Sequence, residues 1–255
     1  MRRFPKEPLK TLLLLPGMDG TTNLLLDLMH RLPQEWKKTA PIDPSDVAVP
    51  YSAHCKMLQI TAPAEEPFVL IAESYSTPVA IQYAATKPAN LKGLVLCAGF
   101  ASSPIKGWRK FLAQWLRHIL FRLPLTNFAI DRYLLGPNPE ESLRNDVRRA
   151  INSVKPEVLS SRLASVIECD VRAELKNISV PILYIQAESD RLVGPICVEE
   201  ILHGNPNVKI ETIPGPHLLF QREPQRAAEI VESFARVVFK SEPFKLKAEL
   251  EEHKQ

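Results

Sequence analysis

Phe68-Val69-Leu70-Ile71-Ala72-Glu73-Ser74-Tyr75-Ser76-Thr77-Pro78 runs from an unbroken apolar segment into a serine and then into a helical pattern. A strand that feeds a tight turn into a helix lifts the serine oxygen clear of the backbone. Amide N–H groups at the helix start then face any negative charge that develops beside it. A lone serine in a turn more often just satisfies the backbone with its hydroxyl, so the flanking residues must decide. The sharp turn admits only small side chains two positions before and after the nucleophile, and these are Ala72 and Ser76. Centring the turn on Ser76 puts Pro78 where a small residue is needed. Centred on Ser74, Pro78 falls in the first helical turn, where its missing N–H costs little. Ser74 is the candidate nucleophile.

Outward from this stretch, short apolar runs recur at 12–15 and 94–98, with further strand candidates at 180–185 and 208–213. Such runs suit parallel strands covered on both faces. Helical patterns lie between them, at 23–32, 52–60, 77–86, 195–202 and 222–239. The alternation predicts an α/β fold, a parallel sheet with helices on both sides. Residues 102–163 break the rhythm with several helical patterns and no strand, which reads as a helical insertion within one domain spanning 1–255. Beyond Phe239 the charged tail reads as a solvated helix or a frayed end.

A chain of 255 residues with 45% hydrophobic content is long enough for one α/β domain with an ample core. The net charge of +3 is too small to imply nucleic-acid binding. Cys55, Cys97, Cys169 and Cys197 are scattered, which implies reduced thiols and a cytoplasmic location, not a disulfide framework or a zinc site. His54 and Cys55 are adjacent but have no partners at ligand spacing. The run 12–15 is too short for a secretory signal core, and no stretch is long enough to span a membrane.

A serine nucleophile needs a base, and the base needs an acid that fixes its tautomer and stabilises its cation. In an open parallel sheet these groups gather where the carboxyl ends of strands give way to loops. After the strand at 180–185 the loop Gln186-Ala187-Glu188-Ser189-Asp190-Arg191 offers Asp190, with Glu188 as second choice. After the strand at 208–213 comes Pro214-Gly215-Pro216-His217. His30, His54, His118, His203 and His253 fall on helical patterns or the tail, so His217 is singled out by position. The loop after 94–96 holds no carboxylate, which favours Asp190. An oxyanion hole made of backbone N–H groups completes the requirement. Tyr75 supplies one donor, and Met18 in the turn Pro16-Gly17-Met18-Asp19-Gly20 supplies another. Strand alternation directs Glu73 away from Ser74, and Cys97 reads as a packed thiol.

With these residues in order, the chain resembles the α/β-hydrolase superfamily along nearly its whole length. The segments V-P-I-L-Y-I-Q-A-E-S-D-R-L-V and G-P-H-L-L-F-Q-R-E-P look like that family's acid and histidine segments. The resemblance implies Ser74 as nucleophile, His217 as base and Asp190 as orienter, with no cofactor. Two departures stand out: the usual G-x-S-x-G is A-E-S-Y-S, and the common His-Gly before the oxyanion loop is Pro16-Gly17. Because the chain begins almost at the oxyanion strand, the early antiparallel strands of many relatives should be missing, leaving about six, mostly parallel.

The resemblance also makes the insertion a lid. Trp108, Phe111, Leu112, Trp115, Leu116, Ile119 and Leu120 form one apolar stripe, complemented by Arg109, Lys110, Arg117 and Arg122. The favoured expectation is that this helix packs on the core. As a lid, its apolar face would suit an acyl chain and its basic side an anionic head group or a membrane surface. The implied activity is hydrolysis of a hydrophobic carboxylic ester or thioester through an acyl-enzyme on Ser74. The alternatives are an acyltransferase with the same triad and a catalytically silent module that binds a ligand through its lid.

Overall fold

The computed structural model describes residues 10–240, so the expectations for the tail beyond Lys240 and for the first nine residues lie outside the described residues. Six strands, β1 (Thr11–Leu15), β2 (Lys37–Thr39), β3 (Phe68–Glu73), β4 (Leu91–Cys97), β5 (Ile182–Ala187) and β6 (Lys209–Ile213), form one sheet in the order β2-β1-β3-β4-β5-β6. Every neighbouring pair is parallel. Each apolar run of the sequence is a strand, and the central strands β1 and β3 are buried throughout.

The period-two alternation of each strand feeds two separate cores. Leu13, Leu15, Leu70, Ala72, Leu94 and Leu96 face one layer, while Leu12, Leu14, Val69, Ile71 and Val95 face the other. The first layer is α2 (Tyr51–Thr61) and α3 (Thr77–Ala85), with α8 (Pro195–Gly204); the second is α1 (Leu26–Arg31) and α10 (Pro224–Lys240). Both sides being covered explains why the strands read as continuous apolar runs. The edge strand β2, with the sequence Lys-Lys-Thr, carries no apolar signal, which is why it alone of the six strands has no counterpart among the apolar runs and strand candidates of the sequence. Its polar character blunts a sheet edge.

The helical pattern at 222–239 is α10, Pro224–Lys240, and a short helix that the pattern did not include, α9 (Leu219–Arg222), precedes it and ends at Glu223. Proline pushes the residue before it out of the helical region, and Glu223 has φ −129° and ψ 49°.

Between β4 and β5 the chain makes only helices: α4 (Trp108–Leu120), the short α5 (Asn127–Ala129) running into a π-helical turn at Ile130–Leu135, α6 (Glu141–Asn152) and α7 (Pro156–Glu168). The base of this excursion is pinned by an antiparallel bridge between Ser102 and Asp170. The Ser103 N–H donates to the Cys169 carbonyl at 2.9 Å and the Val171 N–H to the Ala101 carbonyl at 2.7 Å.

The expectation that the apolar stripe of α4 packs on the core is overturned. No residue of α4 is buried, and Trp108, Phe111, Leu112, Trp115, Leu116, Ile119 and Leu120 are all exposed. The helix lies against α7 by its other side. Arg117 Nη1 donates to Ser160 Oγ at 3.3 Å, His118 Nδ1 lies 3.3 Å from the same hydroxyl, and Arg122 pairs with Glu157 at 3.0 Å. The apolar side chains of α7, Val158, Leu159, Leu163 and Val166, are committed to the interior. What α7 offers α4 is polar, so α4 presents its polar face inward.

Candidate active site

β3 ends at Glu73, and Ser74 follows with φ 49°. That left-handed conformation is costly for a residue with a side chain and persists only where the surroundings impose it. Here Ser76 Oγ lies 3.1 Å from the carbonyl oxygens of both Glu73 and Leu15, its hydrogen shared between them. Thr77 Oγ1 donates to the Ser74 carbonyl at 2.7 Å and accepts the Phe100 N–H at 3.1 Å. The serine found where G-x-S-x-G has its second glycine thus tethers the turn to the end of β1. Ala72 pairs with Leu15 and Leu96 in the sheet and is fully buried, so the position in front of the turn has no room for a larger side chain.

Ser74 meets Asp190 and His217, each more than a hundred positions further along the chain, above this turn. Ser74 Oγ and His217 Nε2 are 2.8 Å apart, and His217 Nδ1 is 2.8 Å from Asp190 Oδ2. The His217 and Asp190 side chains are almost wholly buried. The other carboxylate oxygen, Asp190 Oδ1, accepts the N–H groups of Leu192 at 2.8 Å and Val193 at 2.9 Å, which fixes the carboxylate's orientation. Glu188, the second choice for the acid, is exposed. His54 sits within α2, 3.8 Å from Asp43, and His253 lies outside the described residues.

The loops carrying the acid and the histidine are joined to each other and to the insertion by backbone bonds. The Ser189 N–H donates to the Gly215 carbonyl at 2.9 Å, and the Leu218 N–H donates to the Leu134 carbonyl at 3.0 Å. Arg191 Nη1 donates to the Arg132 carbonyl and Arg222 Nη2 to the Pro137 carbonyl, both at 3.3 Å. Gly136, at φ 71°, lies so close to Pro216 that an added Cβ would be 3.3 Å from the ring. The π-helical turn and the residues after it therefore abut both the Asp190 and His217 loops.

Met18 sits in a tight turn closed by the Gly20 N–H donating to the Gly17 carbonyl at 3.0 Å, with Gly20 at φ 68°. Asp19 is buried and accepts the Thr21 N–H at 3.0 Å; desolvation holds its carboxyl above the usual range. Sequence reasoning missed what holds the turn from behind. Arg162, at 2% exposure, donates from Nη1 to the Met18 carbonyl at 2.7 Å and from Nη2 to the Pro44 carbonyl at 2.9 Å. Its guanidinium carbon lies 6.0 Å from the centre of the Tyr75 ring. A Cβ on Gly20 would come within 2.7 Å of that guanidinium, which accounts for the glycine. The signal was present in the helical spacing: Arg162 stands between Val158 and Val166 on the apolar face of α7, where a charge needs a buried partner.

Glu73 is fully buried, and burial pushes its carboxyl up to about 7, opposed by a hydrogen bond from Gln221 and by nearby His217 and reinforced by Asp19. Gln221 Nε2 donates both to Glu73 Oε2 at 3.2 Å and to the Leu24 carbonyl at 3.0 Å, so Glu73 is engaged with α9. Cys97 is buried at the end of β4, and burial raises its thiol well above the ordinary range. Among the described residues no cluster of His, Cys, Asp and Glu is placed to hold a metal ion, and no helix is long and apolar enough to cross a membrane.

Known structures share this architecture. A hydrolase from Oleispira antarctica superposes with a TM-score of 0.75 at 14% identity, covering 91% of this chain and 92% of that one. A thermophilic esterase from Thermogutta terrifontis gives 0.73 at 20% identity, with 90% of each chain covered. A lipase-esterase related protein from Clostridium acetobutylicum gives 0.73 at 17%, covering 89% of this chain and 95% of that one. At such identities the likeness speaks for the fold. No curated protein sequence matches the chain. The sequence model of the family described as serine aminopeptidase, S33, matches residues 44–220, well over half of the chain and the part that contains Ser74, Asp190 and His217. A parallel sheet of this order, a serine in a left-handed turn after its third strand and that family match agree: the chain is a hydrolase-type α/β-hydrolase belonging to the serine aminopeptidase S33 family.

Proposed function

We propose that this protein is a serine hydrolase that cleaves a carboxylic ester or thioester through an acyl-enzyme on Ser74. The observation that carries the reading is the continuous hydrogen-bonded chain from Ser74 Oγ through His217 to Asp190, with both links at 2.8 Å. With its hydrogen on Nδ1, held by Asp190, the imidazole presents a bare Nε2 to the serine hydroxyl. As Oγ attacks the acyl carbon, its proton passes to Nε2, and Asp190 stabilises the imidazolium. The oxyanion forms opposite the N–H groups of Tyr75 and Met18. Collapse expels the alcohol or thiol, which takes the proton from Nε2. Water, deprotonated by the same nitrogen, then attacks the acyl-enzyme; the acid leaves and Ser74 regains its proton.

A hydrophobic acyl group is favoured by the side chains around Met18, which packs against Val154, Val158 and Leu159 of the insertion, as Phe121 does. Residues 102–163 act in this reading as a lid whose inner end walls the acyl site.

A fluorophosphonate probe tests the chemistry. It should label the wild-type protein at Ser74 and fail on Ser74→Ala, and p-nitrophenyl esters of graded acyl length should turn over best with longer chains. An intact, folded protein that resists the probe and turns over neither short nor long acyl esters overturns the reading.

A further inference from the structure

We infer that the outward face of α4 is a docking surface for an anionic lipid bilayer. A helix of 13 residues with no buried position is unusual in a folded domain, and its exposed side is its apolar one. Trp108, Phe111 and Trp115 are 72%, 70% and 68% exposed, with Leu112, Leu116, Ile119 and Leu120 beside them. Contiguous exposed apolar surface of this kind marks an interaction site. Its composition, indole and phenyl rings with leucines on one face and cations on the rest, is that of a helix lying in the plane of a membrane interface.

Charge selects the occupant. From Ser74 to Ile130 the chain contains no Asp or Glu, while Lys106, Arg109, Lys110, Arg117 and Arg122 cluster on or next to α4. Lys106 is paired with Glu200 at 3.0 Å, Arg122 with Glu157, and Arg117 is turned toward Ser160. Arg109 and Lys110 have no acidic partner within ion-pair distance among the described residues; Arg109 lies over the Trp108 ring at 6.0 Å. Two cations beside an apolar stripe match lipid phosphates above acyl chains. A second copy of the chain would bring the same cations against each other, so self-association is disfavoured. The far end of α4 leads into Phe121, which packs against the same cluster, Val154, Val158 and Leu159, as Met18, so α4 is joined to the turn that follows β1 through one small apolar cluster. The surface itself does not depend on the chemistry at Ser74, and its test reads binding, not turnover.

Full-length protein is sedimented with phosphatidylcholine vesicles with and without phosphatidylglycerol. The expected result is co-sedimentation with the anionic vesicles, weakened by salt, with a blue shift of tryptophan emission from Trp108 and Trp115, since Trp36 is already buried. Replacing Arg109 and Lys110 by Gln should weaken binding to anionic vesicles on the order of thirtyfold, at about one decade and a half for two surface cations. Phe111→Ser with Trp115→Ser should abolish binding while leaving the unfolding transition and probe labelling at Ser74 unchanged, because neither side chain touches the interior. The inference is overturned if wild type ignores anionic vesicles, if the Phe111/Trp115 variant binds as well as wild type, or if ultracentrifugation shows a dimer that this variant dissociates.

Discussion

Arg162 Nη1 donates to the Met18 carbonyl oxygen at 2.7 Å, which ties a helix of the insertion to the turn after the first strand. A buried guanidinium behind that turn sets the direction of its peptide planes. In the proposed mechanism Arg162 is a positioning residue for the turn that carries the Met18 N–H, since it anchors the next peptide plane through the Met18 carbonyl.

Replacing Arg162 by Met should lower kcat roughly a hundredfold with little change in KM, the loss expected when a reacting arrangement shifts by about 1 Å. Arg162→Lys, which can still reach one carbonyl, should recover part of that loss. The Met variant leaves two carbonyls without a donor and the Lys variant one, at about 1–3 kcal/mol each, so unfolding midpoints are measured alongside. A lowered midpoint with unchanged kcat would assign Arg162 to stability alone.

Asp190→Asn keeps the shape of the acid but reverses the favoured tautomer of His217. The expected fall in kcat is roughly 10⁴-fold. Glu188→Gln, changed on an exposed side chain of the same loop, serves as the control and should turn over as wild type does. Steady-state rates on a single p-nitrophenyl ester decide between them.

The Ser76 hydroxyl bridges the Glu73 and Leu15 carbonyls, so Ser76→Ala should cost about 1–2 kcal/mol of stability. The methyl side chain still fits the turn, and Ser74 should remain fully labelled by a fluorophosphonate. Ser76→Leu should fail both tests. Urea unfolding with probe labelling in parallel reads the two effects separately.

Glu73 introduces a pH dependence of stability whose sign follows from burial. Its carboxyl is raised from 4.5 in the unfolded chain to about 7 in the fold, so the folded state holds a proton that the unfolded state releases. The stabilisation is complete below about pH 4.5 and is lost as pH rises through about 7. Its size is on the order of 3 kcal/mol, at about 1.4 kcal/mol per pKa unit. Glu73→Gln should remove this component, making the variant relatively more stable at pH 8 than at pH 5 when compared with wild type by urea midpoints.

Much of the architecture was legible because the strands of a doubly covered parallel sheet must be apolar on both faces. The runs at 12–15, 68–72 and 94–98 could hardly be anything else. Lys37–Thr39 was silent for the complementary reason, since an edge strand of three residues needs no apolar signature. Ser74, Asp190 and His217 were legible through chain order and loop position, which follow from the rule that strand carboxyl ends converge. Arg162 was visible as a charge on an apolar helical face, but its partners, two backbone carbonyls more than a hundred residues away, carry no side-chain signature.

The sequence by itself determined that a parallel sheet is covered by helices on both faces, the turn that lifts Ser74 and the amphipathic character of α4, because each depends on local periodicity and on residue size. Only the tertiary structure decided which way α4 turns. Periodicity defines two faces without saying which is inside, and that choice fell to α7: with Val158, Leu159, Leu163 and Val166 committed to the core, it meets α4 with Glu157 and Ser160 and leaves the tryptophans facing outward.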